Sequence, residues 1–365
     1  MKNKVGQLLL IGIRGTELLK EEEEFIVSNN ISGVVLFARN VETPQQVHEL
    51  CLRIHNLRFK MPNKDPLFIG IDMEGGRVAR LKEPFTIWPP LQKLGEINST
   101  SVTFNFSKMM GAELNAVGIN LNFAPCVDVL TNPKNVLIGD RSFGTDPDLV
   151  TTMSSAMVRG YIKSNVIPCA KHFPGHGNTV IDSHEDLPIE EEVDLETLKN
   201  RELKPFAKAF RARLDMVMTA HIKFPKIDPE YPVTLSKKFL QEIMEEEFRY
   251  QGIIISDDLD MKALTNNYSV EEIPVMALNA GCNMLLYCNE FDHPAIALDS
   301  IFKALAEKKI DPGFIEYSAS LVKKLKEKSL ADLKILPYGQ IENIIGHPDH
   351  KALAKDIAEG NIQKT

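Results

Sequence analysis

The chain has 365 residues, 44% hydrophobic and 25% charged, with a formal net charge of -8. That is ordinary globular composition, enough for one large core, and its acidic balance gives no reason to expect nucleic acid, which favours basic patches. No stretch approaches the ~20 apolar residues of a membrane helix, and five cysteines with no CxxC pair argue against a disulfide scaffold and for a reducing, cytoplasmic setting.

The N-terminus, MKNKVGQLLLIGIRG, has a short apolar core and no small-residue cleavage site before the charged stretch at Lys20 to Glu24, unlike a signal peptide. Val5 to Ile13 therefore reads as a first strand. Glu17–Asn29 follows as an amphipathic helix, its four glutamates at 21–24 forming a solvated face. The next apolar runs are Ser32–Phe37, Leu67–Ile71, Ile119–Ala124, Val166–Ala170, Asp215–Ala220, Gly252–Ile255 and Cys282–Tyr287. Between them lie helix-like stretches at Pro44–Leu57, Val102–Val117, Leu149–Ser164, Glu202–Arg213, Lys237–Glu246 and Val270–Ala280. Near-continuous apolar strands imply burial on both faces, as in a parallel sheet. Eight such units predict an α/β fold, a single-domain (β/α)8 TIM-type barrel. A doubly wound sheet is the alternative, weakened because no Gly-rich fingerprint follows the first strand. Ala295–Glu307, Pro312–Lys328 and His350–Glu359 are expected as helices packed outside the barrel. The expected division is residues 1–335 for the barrel and 336–365 for a C-terminal helical tail.

In such a barrel, catalytic side chains gather at the C-terminal ends of the strands. Here the third run ends in Asp72, the fourth in Pro125 with Asp128 close behind, and the fifth in Lys171 and His172. The sixth ends in His221 and the seventh in Ser256, Asp257 and Asp258. One acid after a strand is ordinarily a helix N-cap, but five strands in succession define a site. Asp257 suits a nucleophile or a ligand-binding carboxylate. Adjacent residues on an extended chain point opposite ways, so Asp257 or Asp258 should face the site and the other should cap or pair.

The segment Lys171 to Pro188, KHFPGHGNTVIDSHEDLP, is a long polar loop leaving a strand, and long loops of this kind are usually functional or disordered. Asp182 lies two residues from His184, so its carboxylate can accept the imidazole N–H and fix the tautomer. A buried structural histidine is the competing reading. Glu185 and Asp186 alongside are further acids. Gly175 and Gly177 suggest a loop that moves. Metal binding is disfavoured because His172 and His176 straddle Pro174 and Gly175, unlike a helical ligand pair. No GxSxG elbow is present, and the cysteines read as buried, inert thiols.

Together, GVVLFARN, IDMEGGRVARL, GINLNFAPCVDV, DRSFGTDP, KHFPGHGNTVIDSHEDLP, MTAHI and IISDDLDMKAL resemble glycoside hydrolase family 3. The closer resemblance is to its single-domain bacterial β-N-acetylglucosaminidase branch, the β-hexosaminidases of cell-wall recycling. The resemblance implies a (β/α)8 barrel and retaining hydrolysis of a terminal, non-reducing β-linked N-acetylglucosamine. It puts the nucleophile at Asp257, the acid/base at His184 and its carboxylate partner at Asp182. It puts sugar-binding positions at Asp72, Arg80, Arg141, Lys171 and His172. It implies no cofactor and no metal, a small sugar or muropeptide as substrate, a monomer, and a place in peptidoglycan recycling. Met73 stands where the family often has Gln. The tail, HPDHKALAKDIAEGNIQKT, resembles the linker helix that leads into a second domain in longer members. With no such domain expected, the acid must come from the barrel, which favours His184. A β-glucosidase, a phosphorylase of the same fold, a metal-dependent hydrolase and a non-catalytic sugar-binding protein are the alternatives.

Overall fold

The computed structural model describes residues 1–211 and 214–362. Each expected apolar run yields a strand: β1 Leu9–Gly12, β2 Gly33–Leu36, β3 Phe68–Ile71, β4 Leu121–Asn122, β5 Ile167–Phe173, β6 Met216–Thr219, β7 Ile253–Asp258 and β8 Met284–Tyr287. Sequential neighbours pair in parallel, and β1 also pairs with β8, closing the barrel.

Strand periodicity explains the closure. Leu10, Val35, Phe68, Ile167, Met216 and Ile253 point inward and form one buried cluster. Their alternates Leu9, Val34, Ile69, Val217 and Ile254 point outward into a second, larger cluster shared with the helices. Successive strand residues face opposite sides, so apolar runs without polar alternates fit a sheet covered on both faces. Each fully buried Leu, Ile, Val or Phe contributes about 1.5–3 kcal/mol relative to exposure.

Local signals start the outer helices. Pro44–Asn56 has proline in its first turn, and its N-cap Thr43 accepts the Gln46 N–H. Asp146 caps Pro147–Lys163 in the same way through Asp148. Both are sites where a side-chain oxygen satisfies an orphan backbone donor.

The first expected strand is shortened. Lys2–Gly6 is a helix, and β1 begins only at Leu9. The short apolar run did not distinguish strand from helix by periodicity. A side chain on Gly6 would sit 1.7 Å from the Asn29 carbonyl oxygen, so close packing beneath the barrel fixes this turn. The expected Glu202–Arg213 helix forms over Leu203–Arg211; positions 212–213 lie outside the described residues.

Pro312–Leu330 crosses the N-terminal mouth of the barrel rather than its flank. Its Val322, Leu325 and Leu330 join the inner cluster. Its Lys326, 1% exposed, donates to Gln7 Oε1 and the Ser32 carbonyl, each at 2.9 Å, and lies 5.0 Å from the Phe68 ring centre. Burial pulls this ammonium down to about 7. The tail helix Pro348–Glu359 docks on Thr100–Ala116, where His350 Nδ1 meets Glu113 Oε1 at 2.7 Å.

Candidate active site

The opposite mouth, at the C-terminal ends of the strands, holds a cleft of about 270 Å³. Its lining includes Asp72, Arg80, Lys171, His184, Asp257 and Asp258, with Phe37, Phe123, Met218 and Leu286 as apolar wall. Five of the eight expected site residues thus meet at one cleft. The other three, Asp182, Arg141 and His172, stand behind its lining.

Asp257 sits near the end of β7, the one residue of that strand that is not fully buried. Its Oδ1 accepts the Asp258 N–H at 2.8 Å. Burial alone would raise its carboxyl. His172, His221, the Asp258 amide and Lys171 together outweigh burial and hold it below the usual carboxylate range. It is therefore ionised at neutral pH.

Asp258 also reaches the cleft, but its oxygens are occupied. Oδ1 accepts the N–H groups of Cys288 and Asp260, both at 3.1 Å, and Oδ2 accepts the Asn289 side chain at 3.0 Å. Burial, reinforced by Asp260 and Asp257, pushes its carboxyl up to about 7. The expectation that one of the two acids faces the site while the other caps is thus refined. Both reach the cleft, and Asp258 ties the ends of β7 and β8 together.

Lys171 and Arg80 converge on Asp72: Lys171 Nζ lies 2.6 Å from Oδ1 and Arg80 3.2 Å from Oδ2. Burial opposes ionisation of Asp72, but Lys171 and Arg80 overcome it. Behind them lies Glu74, which sequence reasoning missed. It is 1% exposed and takes Lys171 at 2.7 Å and Arg141 through two bonds, Nε at 2.9 Å and Nη2 at 2.8 Å. These cations more than offset burial and hold Glu74 well below the carboxylate range. The only sequence signal for it was its position two residues after Asp72.

Arg141 and His172 are 8% and 7% exposed. His172 donates through Nδ1 to Asp128 Oδ2 at 2.7 Å. Asp128 Oδ1 accepts the backbone N–H groups of His172 and His176, at 3.2 and 2.7 Å. Burial is outweighed by His172 above all, so Asp128 stays ionised. His221 bonds the Asp258 carbonyl at 3.0 Å and Thr234 at 2.7 Å, bracing β7 against the adjoining loop.

The loop after β5 carries His184 over the rim. Asp182 Oδ1 accepts both the His184 backbone N–H at 2.9 Å and its Nδ1–H at 2.8 Å. That leaves Nε2 as the ring atom free to meet a substrate. Glu185 and Asp186 are exposed and outside the cleft lining. Glu185 pairs with Lys262 at 3.2 Å and Asp186 accepts the Leu187 N–H. Close packing also demands glycine at both loop positions. Gly175 holds φ +136, which favours glycine, and a side chain on Gly177 would sit 1.8 Å from the Val129 carbonyl oxygen.

Among the described residues, Cys126, Asp128 and His172 are the three that bring metal-ligand atoms within 4.8 Å of one another. Burial and the Asp128 charge push the Cys126 thiol well above its ordinary range. It stays protonated and bonds to Asp128 at 3.2 Å.

A closed parallel barrel with ionised acids, cations and a paired histidine at its C-terminal mouth defines a glycosidase-like active site. Residues 1–325 match the glycosyl hydrolase family 3 N-terminal domain, and the chain belongs to that family. It is similar to the β-hexosaminidase of Nitrosomonas eutropha, 36% identical over 299 residues, 80% of this chain and 84% of that protein. The β-hexosaminidase of Pseudomonas aeruginosa is 35% identical over 305 residues, 83% of this chain and 88% of that one. Among solved structures, a family 3 β-N-acetylglucosaminidase from Paenibacillus sp. superposes with a TM-score of 0.94 at 34% identity, covering 98% of this chain and 68% of that one. NagZ from Neisseria gonorrhoeae, in complex with N-trifluoroacetyl-D-glucosamine, gives 0.78 at 27%, covering 96% and 97%. Among the described residues, no helix is long and apolar enough to cross a membrane.

Proposed function

We propose that this glycoside hydrolase is a retaining exo-β-N-acetylglucosaminidase acting through Asp257 and His184. The observation that carries the reading is that an ionised carboxylate and a carboxylate-held imidazole line one cleft. Asp257 attacks the anomeric carbon while the bond from that carbon to the leaving oxygen breaks. His184 Nε2–H gives its proton to that oxygen, and a covalent glycosyl-enzyme forms. Nε2, now unprotonated, takes a proton from water. The resulting hydroxide displaces Asp257 and releases the sugar. Most retaining glycosidases use two carboxylates; an imidazole needs less tuning, because its ordinary pKa already lies near neutrality.

Asp72, Arg80 and Lys171 bind sugar hydroxyls from the cleft wall. Arg141 and His172 add contacts through the edges they leave exposed. The substrate class is a terminal N-acetylglucosaminide, and the similarity to β-hexosaminidases and to a sugar-bound NagZ supports it. We further read the natural substrate as a peptidoglycan fragment met in the cytoplasm. We also read the enzyme as a monomer, since one chain supplies every residue of the site.

The test is turnover of an aryl β-N-acetylglucosaminide beside the matching aryl β-glucoside, with and without phosphate. Free N-acetylglucosamine released at a phosphate-independent rate supports the reading. Preference for the glucoside, or formation of a sugar 1-phosphate, overturns it, and no turnover of either leaves a sugar-binding protein.

A further inference from the structure

The geometry points to His176 as a positioning residue that latches the proton-delivering loop through the Ser183 hydroxyl. The inference rests on the acid/base role proposed for His184 and adds the device that places it. His176 is 2% exposed and Ser183 3%, and their Nε2 and Oγ lie 3.1 Å apart. From Val180 to Leu187, Ser183 is the one buried residue. The side chains of its neighbours His184 and Asp182 are 64% and 42% exposed. The loop therefore hangs over the cleft, with Ser183 as its buried side-chain anchor beside the exposed Glu185–Lys262 pair. The Ser183 carbonyl also accepts the Ala263 N–H at 3.3 Å, which ties the same residue to the segment after β7.

The hydrogen-bond directions follow from counting protons. Thr179 has one hydroxyl proton and gives it to the His176 carbonyl at 3.1 Å. With that proton on the carbonyl, its oxygen accepts at 2.7 Å from His176 Nδ1, which then carries the ring proton. Burial, helped by neighbouring His172, pushes the His176 imidazole down to about 4, so the ring is neutral at working pH and its Nε2 is an acceptor. The Ser183 hydroxyl donates to it. On its other side His176 is fixed by its backbone N–H to Asp128, the carboxylate that holds His172. A continuous chain thus runs from His172 through Asp128 and His176 to Ser183, the residue beside His184. The floor of the sugar site and the proton donor above it share one frame.

Two substitutions of His176 separate the latch from bulk packing. His176→Gln places an amide oxygen near the former Nε2 and can still accept from Ser183. His176→Asn reaches only to the former Nδ1 and cannot. Amide hydrogen exchange over residues 180–186 is expected to quicken in His176→Asn and Ser183→Ala and to stay near wild type in His176→Gln. With a poor leaving group, kcat/KM should fall about tenfold in the first two, the scale of one lost hydrogen bond. It should change little with an activated aryl leaving group and recover in His176→Gln. Unchanged exchange in His176→Asn and Ser183→Ala would overturn the latch, whichever residue carries the proton. A loosened loop with unchanged kinetics would overturn the positioning role, provided that His184→Ala itself loses activity on the poor leaving group. If His184→Ala shows no dependence on leaving group, the acid/base assignment fails, and exchange alone decides the latch.

Discussion

Lys171 Nζ lies 2.7 Å from Glu74 Oε1, in a pair whose side chains are 4% and 1% exposed. Through this contact, an acid that never reaches the cleft sets the charge of one that does, because the same ammonium holds Asp72. Removing one partner of a buried ion pair typically costs about 3–5 kcal/mol, since the other charge stays buried. Glu74→Gln leaves Arg141 without its carboxylate partner and Lys171 with Asp72 alone. It should lower unfolding free energy by about that much in urea titrations and raise KM through the displaced Lys171. Undiminished stability would mean that the network relaxes onto water.

Asp257→Ala should abolish nearly all turnover, because no covalent path remains. A slow glycosyl substrate trapped on the wild-type enzyme should leave its label on the peptide containing Asp257, located by fragmentation mass spectrometry. A label on Asp258 would reassign the nucleophile. The occupied oxygens of Asp258 and its raised carboxyl are the reasons to expect otherwise.

His184→Ala should lose about 10²–10⁴-fold in kcat/KM with a poor leaving group, the usual scale of positioned proton transfer. It should lose much less with an activated aryl group, which departs without a proton. Asp182→Asn should show the same pattern at smaller size, because the imidazole remains but its Nδ1 partner is weakened. Equal losses on both substrates would remove His184 from proton transfer.

The Asp258 carboxyl is raised to about 7, so the folded state binds a proton that the unfolded chain releases near pH 4. Its contribution to stability is fully present below about pH 4 and is lost as pH rises through about 7. Buried His176 and His55, pushed down to about 4, act in the opposite sense, losing stability as pH falls from about 6.5. The clean readout is therefore the difference between Asp258→Asn and wild type. Melting temperature of the variant relative to wild type should climb between pH 4 and 7. A flat difference would show that Asp258 titrates normally.

The strands were legible because a sheet buried on both faces needs uninterrupted apolar residues, which stand out in sequence. The candidate cleft was legible because barrels gather polar groups at strand ends, where Asp72, Lys171 and Asp257 each follow or close an apolar run. The roles of Glu74 and Asp128 were not legible. Each is defined by partners tens of residues away, Arg141 for Glu74 and His172 and His176 for Asp128. Likewise the packing demand at Gly175 and Gly177 was not legible, because it comes from the approach of Glu202 and Val129. The Lys2–Gly6 helix was hidden because Val5 lies only three residues before the apolar run of β1.

Lys326 and its helix stopper the barrel at the end opposite the chemistry. Between the two ends the barrel is filled by its own inward side chains, a packed core rather than a pore, so the cleft opens only at its own mouth. A polymer cannot thread a packed barrel, so under the proposed exo reading it offers only its tip. Damage to the stopper should therefore register as a protein that melts sooner, while surviving molecules turn over at their normal rate. The two ends of the barrel can thus change independently, one tuned for endurance and the other for what it cuts.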